Sequence, residues 1–339
     1  MSAPLLVSSS PHIRADENTR SIMLDVVVAL LFPLAVATYY FELKALYLTA
    51  LSVVSCVAIE FLYRKIMKKT STIHDLSAVV TGILLAFVLP VSTPYWIVPI
   101  GALFAIVVVK QLYGGLGKNF MNPALAARAF LTLSFPGVVG RFTSPTFLDS
   151  GFSFKGATDM ITSATPLMSL KNGMLPENIS LTNLLLGEIP GSLGETSAIL
   201  LLLGGLYLVV RKVIHPRIPL AFMGTVAVLT FTFPPEGIAR LDFMLYSLLS
   251  GGLVLGAVFM ATDYSTSPVT KRGQIFFGIG CGILTVFMRF FGKMPEGVCY
   301  AILLMNTLVW LLDKVGLPRR FGVKPFAFLR RGRGDSHAK

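Results

Sequence analysis

The chain has 339 residues, of which 54% are hydrophobic and 14% are charged, and its formal net charge is +12. Soluble domains carry about a quarter of charged residues, so this composition excludes a soluble globular domain and indicates an integral membrane protein. The positive charge does not indicate a nucleic-acid partner, because a chain with 25 Phe and so few charges does not form a solvated basic surface.

The apolar stretches predict ten transmembrane helices in two groups of five. Residues 1–21 form a polar cytoplasmic lead, and the first five-helix half, 22–139, follows. About 20 apolar residues cross a membrane at about 1.5 Å per residue. By this measure the first five helices cover 22–41, 43–63, 76–90, 95–112 and 123–139. After a polar interval, 140–196, the second half, 197–313, contains stretches at 197–213, 219–233, 243–261, 274–290 and 298–312, and a basic tail, 314–339, ends the chain.

Basic residues predict the orientation of these helices. Cytoplasmic loops of membrane proteins collect Lys and Arg. Clusters of Lys and Arg follow the second, sixth and eighth stretches and recur in the tail. In a ten-helix arrangement all of these clusters fall on one side of the membrane. They are Arg64, Lys65, Lys68 and Lys69; Arg211, Lys212 and Arg217; Lys271 and Arg272; and Arg319, Arg320, Lys324, Arg330, Arg331 and Arg333. Both termini are therefore expected to be cytoplasmic, and the interval 140–196, in which acids outnumber bases, is expected outside the membrane.

The two halves begin on opposite sides of the membrane, which is the orientation of an inverted repeat. Each half has a glycine-rich approach to a polar, proline-containing break. These breaks are residues 114–123 in the first half, and 251–252 followed by 259–268 in the second. Irregular backbone at depth is tolerated only where protein or a cavity satisfies its polar groups, so the breaks predict a site near the middle of the protein. The alternative is that both are loops at the cytoplasmic surface.

Several polar side chains fall within or beside the apolar stretches. Arg128, flanked by alanines, is expected to face a partner, a cavity or an anionic ligand, or else to reach the membrane interface. Asp25 and Asp263 are the acids best placed to meet a cation on an ion pathway, and each also suits an interfacial helix cap. Asn306 and Arg289 complete the set.

Signatures of several other chemistries are missing from the sequence. It has no nucleotide-binding P-loop, no zinc-type His pair and no Ser-His-Asp pattern, so no complete active site is predicted on this chain alone. The cysteines show no CxxC spacing and fall in apolar runs, where core packing is expected. The histidines lie near predicted cytoplasmic ends, which excludes a haem ligand at depth. These residues are Cys56, Cys281 and Cys299, and His12, His74, His215 and His337.

The polar interval contains a candidate modification site at Thr165. Ser163 and Ala164 add little bulk beside it, and Pro166 biases its backbone toward an extended conformation. A hydroxyl in such a turn is accessible to a modifying enzyme, and a covalent bond there would hold a redox cofactor that the histidines cannot. The alternative is an ordinary polar loop that contains Ser and Thr.

Five segments, in order, resemble the D-subunit family of the Rnf-type ion-translocating ferredoxin:NAD oxidoreductase complex. More distantly, they are similar to the B subunit of the sodium-translocating NADH:quinone reductase. The segments are 10–14 leading into 22–26, 122–124 with 128–130, Ser-Ala-Thr-Pro-Leu at 163–167, 259–263 with 266–268, and 295–297 ahead of Asn306. The resemblance implies an all-α polytopic membrane protein of about ten transmembrane helices, arranged as two inverted, urea-transporter-like halves.

The resemblance also implies that FMN is attached to the Thr165 hydroxyl through a phosphoester, outside the membrane, by a separate flavin transferase. The acceptor motif then includes Asp159, six residues before Thr165, together with Ser163, Ala164, Pro166 and Leu167. Thr158 is a decoy, because Phe152 stands six residues before it and no Pro-Leu follows. One departure from the family pattern is Met160, at a position where acceptor loops often have a small residue.

Family members carry electrons between ferredoxin and NAD in the cytoplasmic membrane of bacteria and archaea, coupled to sodium or proton translocation. The implied partners are the other subunits of the complex. The B-type relatives are associated with a second, non-covalent flavin, which the resemblance assigns, where present, to the segment from Asn122 to Arg128. Two other classes stay open: a secondary transporter or channel without a redox cofactor, and a purely structural subunit.

Overall fold

The computed structural model describes residues 18–142, 165–176, 179–187, 189–292 and 296–316. Within these ranges the chain is helical and contains no strand, apart from one isolated bridge between Pro90 and Ser192. The predicted all-α class is therefore confirmed. Asp159, Ser163 and Ala164 of the predicted acceptor motif lie outside the described residues, as does most of the predicted basic tail.

The first half of the chain contains five helices. They are α1 (Thr19–Ile66), α2 (Ser77–Phe87), α3 (Ile97–Leu103, continued by the π-helical Phe104–Gln111), α4 (Pro123–Ser134) and α5 (Pro136–Val139). Glu42 interrupts α1 with a non-helical φ of 56° and ψ of −156°. The two parts, 19–41 and 43–66, correspond to the first two predicted stretches.

The rest of the described chain contains nine α-helices. Every predicted apolar stretch includes at least one helix, and 123–139, 243–261 and 298–312 are each divided between two. Two short ones, α6 (Pro166–Lys171) and α7 (Leu181–Leu186), precede the second half. The others are α8 (Ala198–Val210), α9 (Arg217–Thr232), α10 (Arg240–Leu249), α11 (Leu253–Leu255, continued by the π-helical Gly256–Met260), α12 (Lys271–Phe291), α13 (Val298–Thr307) and α14 (Val309–Gly316).

Two of these helices, α1 and α12, are long and apolar enough to cross a membrane as they stand. Helices α10 and α11 meet at a bend of 62°, and α13 and α14 meet at a bend of 60°. If each bent pair is counted as one span, the number of spans rises from two to four. The predicted stretch 243–261 is therefore broken rather than straight. Gly251 and Gly252 cause the break, since their φ angles of 72° and 64° lie in the left-handed region that other residues avoid.

Close approach at glycines joins helices of both halves in the main core. A Cβ on Gly82 of α2 would lie 2.6 Å from Cα of Val53, and one on Gly204 of α8 would lie 2.7 Å from the carbonyl oxygen of Ala29. Small residues allow helices in membranes to pack this closely. The core therefore joins α1 of the first half to α8 of the second. All three cysteines are buried and unpaired, which confirms their predicted core packing.

Candidate functional site

Residues of the two predicted breaks line one pocket. Asn119 and Asn122 reach it from the first break and Thr262 and Asp263 from the second, while Lys110 enters from the end of α3. We call it the break pocket. Its empty volume is about 720 Å³, counting space open to solvent.

Asn122 ties the two halves together beside this pocket. Its Oδ1 caps α4 by accepting from the backbone N–H of Ala124 (3.0 Å), and its Nδ2 donates to the carbonyl of Met260 (3.4 Å). The Asn306 amide is oriented so that both its oxygen and its nitrogen have hydrogen-bond partners. Its oxygen accepts from the backbone N–H of Asn122 (3.2 Å), and its nitrogen donates to the carbonyl of Thr266 (3.1 Å). The Asn-Pro start of α4 is thus hydrogen-bonded to the break of the second half.

A buried ion pair lies beside the break pocket. Lys110 Nζ is 2.7 Å from Glu60 Oε2, and the two side chains are 2% and 1% exposed. Lys110 also donates to the hydroxyl of Ser77 (2.8 Å), the first residue of α2. Glu60 Oε1 accepts from Thr72 (2.7 Å) and Gln111 (3.0 Å). The pair therefore fixes α1, α2 and the π-helical end of α3 to one another.

The two acids predicted for an ion pathway have different surroundings. Asp263 lines the break pocket, where Ser265 and Thr266 donate to its Oδ2 at 3.1 and 3.3 Å. Burial raises the pKa of the Asp263 carboxyl, and these hydrogen bonds partly offset the increase. Asp25 accepts from Tyr207 (2.9 Å) and pairs with Arg211 (3.2 Å), so it joins α1 to α8.

Arg128 lines a second pocket, six residues along α4 from Asn122. Glu195, Gly252 and Glu296 also line this pocket, which we call the arginine pocket, and its empty volume is about 350 Å³ with open solvent included. Arg128 forms a salt bridge with Glu296, 168 residues away in the chain. Arg128 therefore faces both a partner and a cavity. Within the described residues, its Nη1 and the Oε1 of Glu296 are buried without a hydrogen-bond partner.

Charges of opposite sign flank the break between α10 and α11. Arg289 of α12, only 1% exposed, donates to the carbonyls of Ser247 (2.6 Å) and Ser250 (2.9 Å), at the carboxyl end of α10. Glu195 lies near Gly252, at the amino end of α11, since a Cβ there would be 3.3 Å from Glu195 Oε1. Burial raises the pKa of the Glu195 carboxyl, while a hydrogen bond from Ser192 opposes this rise. Cations favour helix C-termini and anions favour N-termini, so both ends of the break are stabilised.

Thr165 is the N-terminal flanking residue of α6, and Pro166 is the first residue of that helix. Its backbone is extended, with φ of −69° and ψ of 150°, as Pro166 predicts. The residue is 7% exposed, although the sequence predicted an accessible hydroxyl. Leu167 and Leu170, just after it, pack against Phe243 of α10 and hold the start of α6 against the second half.

The structure thus brings some predicted residues together and separates others. Asn122 and Asp263 share the break pocket, whereas Arg128 lines the arginine pocket. Sequence reasoning did not select Glu60, Lys110 or Glu195 as site residues. Charges inside apolar runs were the available signal for Lys110 and Glu60, because such charges are costly and rare in transmembrane helices.

Replacing Arg128 with Met is expected to destabilise the protein much more than replacing Arg211 with Met. The first change leaves Glu296, 21% exposed, without its cation, and breaking a buried pair costs about 3–5 kcal/mol. The Arg211 side chain is 56% exposed, and Asp25 keeps the hydrogen bond from Tyr207 (2.9 Å) when Arg211 is lost, so a smaller loss of stability is expected. Thermal loss of the helical circular dichroism signal of the two purified variants measures the difference. Equal midpoints would contradict the buried role assigned to Arg128.

The chain matches a protein-family model almost from end to end. The model, described as the NQR2, RnfD, RnfE family, covers residues 6–322. This range includes both pockets and Thr165.

Three similar proteins have related names. A protein of Acetobacterium woodii, 48% identical over 94% of this chain and 96% of its own length, is called the D subunit of a Na⁺-translocating ferredoxin:NAD⁺ oxidoreductase complex. One from Clostridium ljungdahlii, 42% identical over 94% and 96%, is called the D subunit of a proton-translocating ferredoxin:NAD⁺ oxidoreductase complex. One from Stutzerimonas stutzeri, 39% identical over 89% and 91%, is called the D subunit of an ion-translocating oxidoreductase complex.

Proposed function

Because the chain belongs to the NQR2, RnfD, RnfE family, we propose that it is the D subunit of a membrane-bound, ion-translocating ferredoxin:NAD oxidoreductase complex. The observation that carries the proposal is the 48% identity to such a subunit over 94% of the chain. Its partners are then the other subunits of the complex. Since one similar protein is named for Na⁺ and another for protons, the name alone does not select the ion.

The proposal includes FMN attached to Thr165 Oγ by a flavin transferase. Bound flavin would supply the electron-transfer chemistry, and the protein would position it. The chain fits the attachment chemically, because Thr165 has an extended backbone and its side chain makes no capping hydrogen bond to α6. Pro166 and Leu167 of the predicted motif fix the start of that helix, since both are buried.

The break pocket is the proposed position of a second, non-covalent flavin. Asn119 Oδ1 is buried there without a hydrogen-bond partner among the described residues, and a ring N–H of an isoalloxazine would satisfy it. Lys110 and Asn122 supply further polar groups. Arg128 does not line this pocket, so its proposed role is to hold Glu296 beside the arginine pocket.

Two inverted five-helix halves remain part of the proposal, and corresponding side chains support it. Lys110, near the end of the fourth stretch of the first half, donates to Ser77 at the start of α2. Arg289, near the end of the fourth stretch of the second half, donates to the carbonyl of Gly251 just before α11 (3.2 Å).

For the ion pathway, the contacts favour Asp263 over Asp25, because Arg211 and Tyr207 already engage Asp25.

A secondary transporter or channel is the other candidate, favoured by the pocket that both breaks line. Intact mass and in-gel fluorescence of the denatured chain, purified from cells that contain the transferase, distinguish the two. We expect one FMN-sized adduct on the peptide that contains Thr165, and additional flavin released on denaturation. An unmodified chain that releases no flavin would support the transporter instead.

A further inference from the structure

Helix α6, which begins directly after Thr165, is docked on the second half of the chain. Leu167 and Leu170, 2% and 0% exposed, form an apolar cluster with Phe243 of α10, which is 1% exposed. Ile238, Tyr246 and Phe290 pack around this cluster, which is separate from the main core. A residue far along the chain therefore sets the position of Thr165.

The break between α10 and α11 provides the second part of this dock. Leu167 lies over Gly251, where a Cβ would be 2.7 Å from the Leu167 Cδ2 atom. Lys171, at the end of α6, donates to the carbonyl of Gly292, and Tyr246 donates to the carbonyl of Ile179 (2.7 Å). Contacts within and after α6 thus hold it against α10 and α12.

Thr165, the residue that the proposed function requires to react, is buried in the docked arrangement of α6. With α6 docked, Thr165 is 7% exposed, and it lines neither the break pocket nor the arginine pocket. A transferase must bring a flavin phosphate within bonding distance of Oγ. The chain therefore offers the right chemical group on a residue that is buried while α6 is docked.

We propose that flavin attachment requires α6 to leave its dock on Phe243 and Gly251, and that redocking then fixes the attached group against the second half. This inference rests on the proposed attachment of FMN to Thr165. In the transfer, a bond forms between Thr165 Oγ and the flavin phosphate of a flavin dinucleotide. The phosphoanhydride of that donor breaks, a nucleoside monophosphate leaves, and the hydroxyl proton passes to a base of the transferase.

Phe243 and Gly251 are positioning residues in this scheme, and Phe243 provides the sharper test. Phe243→Ala removes the aromatic ring beneath α6 but leaves the sequence that the transferase recognises unchanged. Because loss of a large buried side chain weakens packing strongly, we expect the undocked population, and with it the initial rate of attachment, to rise at least about tenfold. Damage to the fold near the site would instead lower the rate.

The experiment uses membranes that contain the full chain, prepared from cells without the transferase, to which purified transferase and the flavin dinucleotide are added. Fluorescent labelling of the chain gives the rate. Leu241→Ala, on the same helix and 57% exposed, is the matched control. Leu170→Ala, compared with Met168→Ala (43% exposed), repeats the test within α6 in case Phe243→Ala fails to fold.

Faster attachment in Phe243→Ala and Leu170→Ala than in their controls, with lower fluorescence anisotropy of the attached flavin, is the expected result. Rates equal to or below those of the controls would contradict the proposal that α6 must leave its dock, without contradicting the proposed attachment of FMN to Thr165. Absence of labelling in every chain, wild type included, would contradict the proposed function itself.

Discussion

Thr165→Ala is expected to remove all covalently bound flavin from the chain without preventing its insertion into the membrane. The change deletes the one oxygen to which the phosphoester is proposed to form. It is expected to cost little stability, because the hydroxyl makes no capping hydrogen bond to α6, whereas a Thr that does cap a helix contributes about 1 kcal/mol. In-gel fluorescence and intact mass of the denatured variant measure the loss.

Two controls make this result specific. Thr165→Ser keeps a hydroxyl at the same backbone position and is expected to keep flavin attachment. Thr158→Ala removes the decoy and is expected to leave the adduct unchanged. Covalent flavin that persists in Thr165→Ala and disappears in Thr158→Ala would identify Thr158, rather than Thr165, as the acceptor. Normal electron transfer in a flavin-free Thr165→Ala complex would instead favour the purely structural subunit.

The positions of the helices were largely predictable from the sequence, because apolar stretches and glycine or proline breaks are local signals. Gly251 and Gly252 are an example: the sequence placed a break there, and their left-handed φ angles of 72° and 64° produce it. The environment of Arg128 was predictable for a similar reason, since a charge among alanines in an apolar stretch requires a partner or a cavity.

The pairings between distant residues were not predictable. Glu60 and Lys110 are 50 residues apart, and Arg128 and Glu296 are 168 residues apart, so no local period relates either pair. Lys110 stands two residues from the end of a predicted stretch, where a lysine ordinarily reaches the interface. The docking of α6 beside Thr165 was not predictable for the same reason, because Leu167 and Leu170 pack against Phe243 in a helix that the local pattern around Thr165 does not identify.

Breaking the buried pair of Glu60 and Lys110 is expected to destabilise the protein strongly. Glu60→Gln leaves the Lys110 ammonium, 2% exposed, without its anion, and this change is expected to cost about 3–5 kcal/mol because an unpaired charge remains buried. Lys110→Met leaves the Glu60 carboxylate, 1% exposed, with Arg64 at 4.0 Å as its remaining cation, so a smaller but still large loss is expected. Changing both residues removes both charges, and is expected to cost clearly less than the sum.

The double variant Lys110→Met/Glu60→Gln also separates stability from ligand binding. It retains an acceptor for Thr72 and Gln111 but loses the ammonium that lines the break pocket and contacts Ser77. We therefore expect the double variant to fold and to keep covalent flavin at Thr165, while the flavin released on denaturation falls at least about tenfold, the factor that 1.4 kcal/mol of lost binding energy produces. Thermal midpoints of the four proteins complete the cycle. Additive losses would mean that the pair is not coupled, and unchanged released flavin would remove Lys110 from the proposed second site.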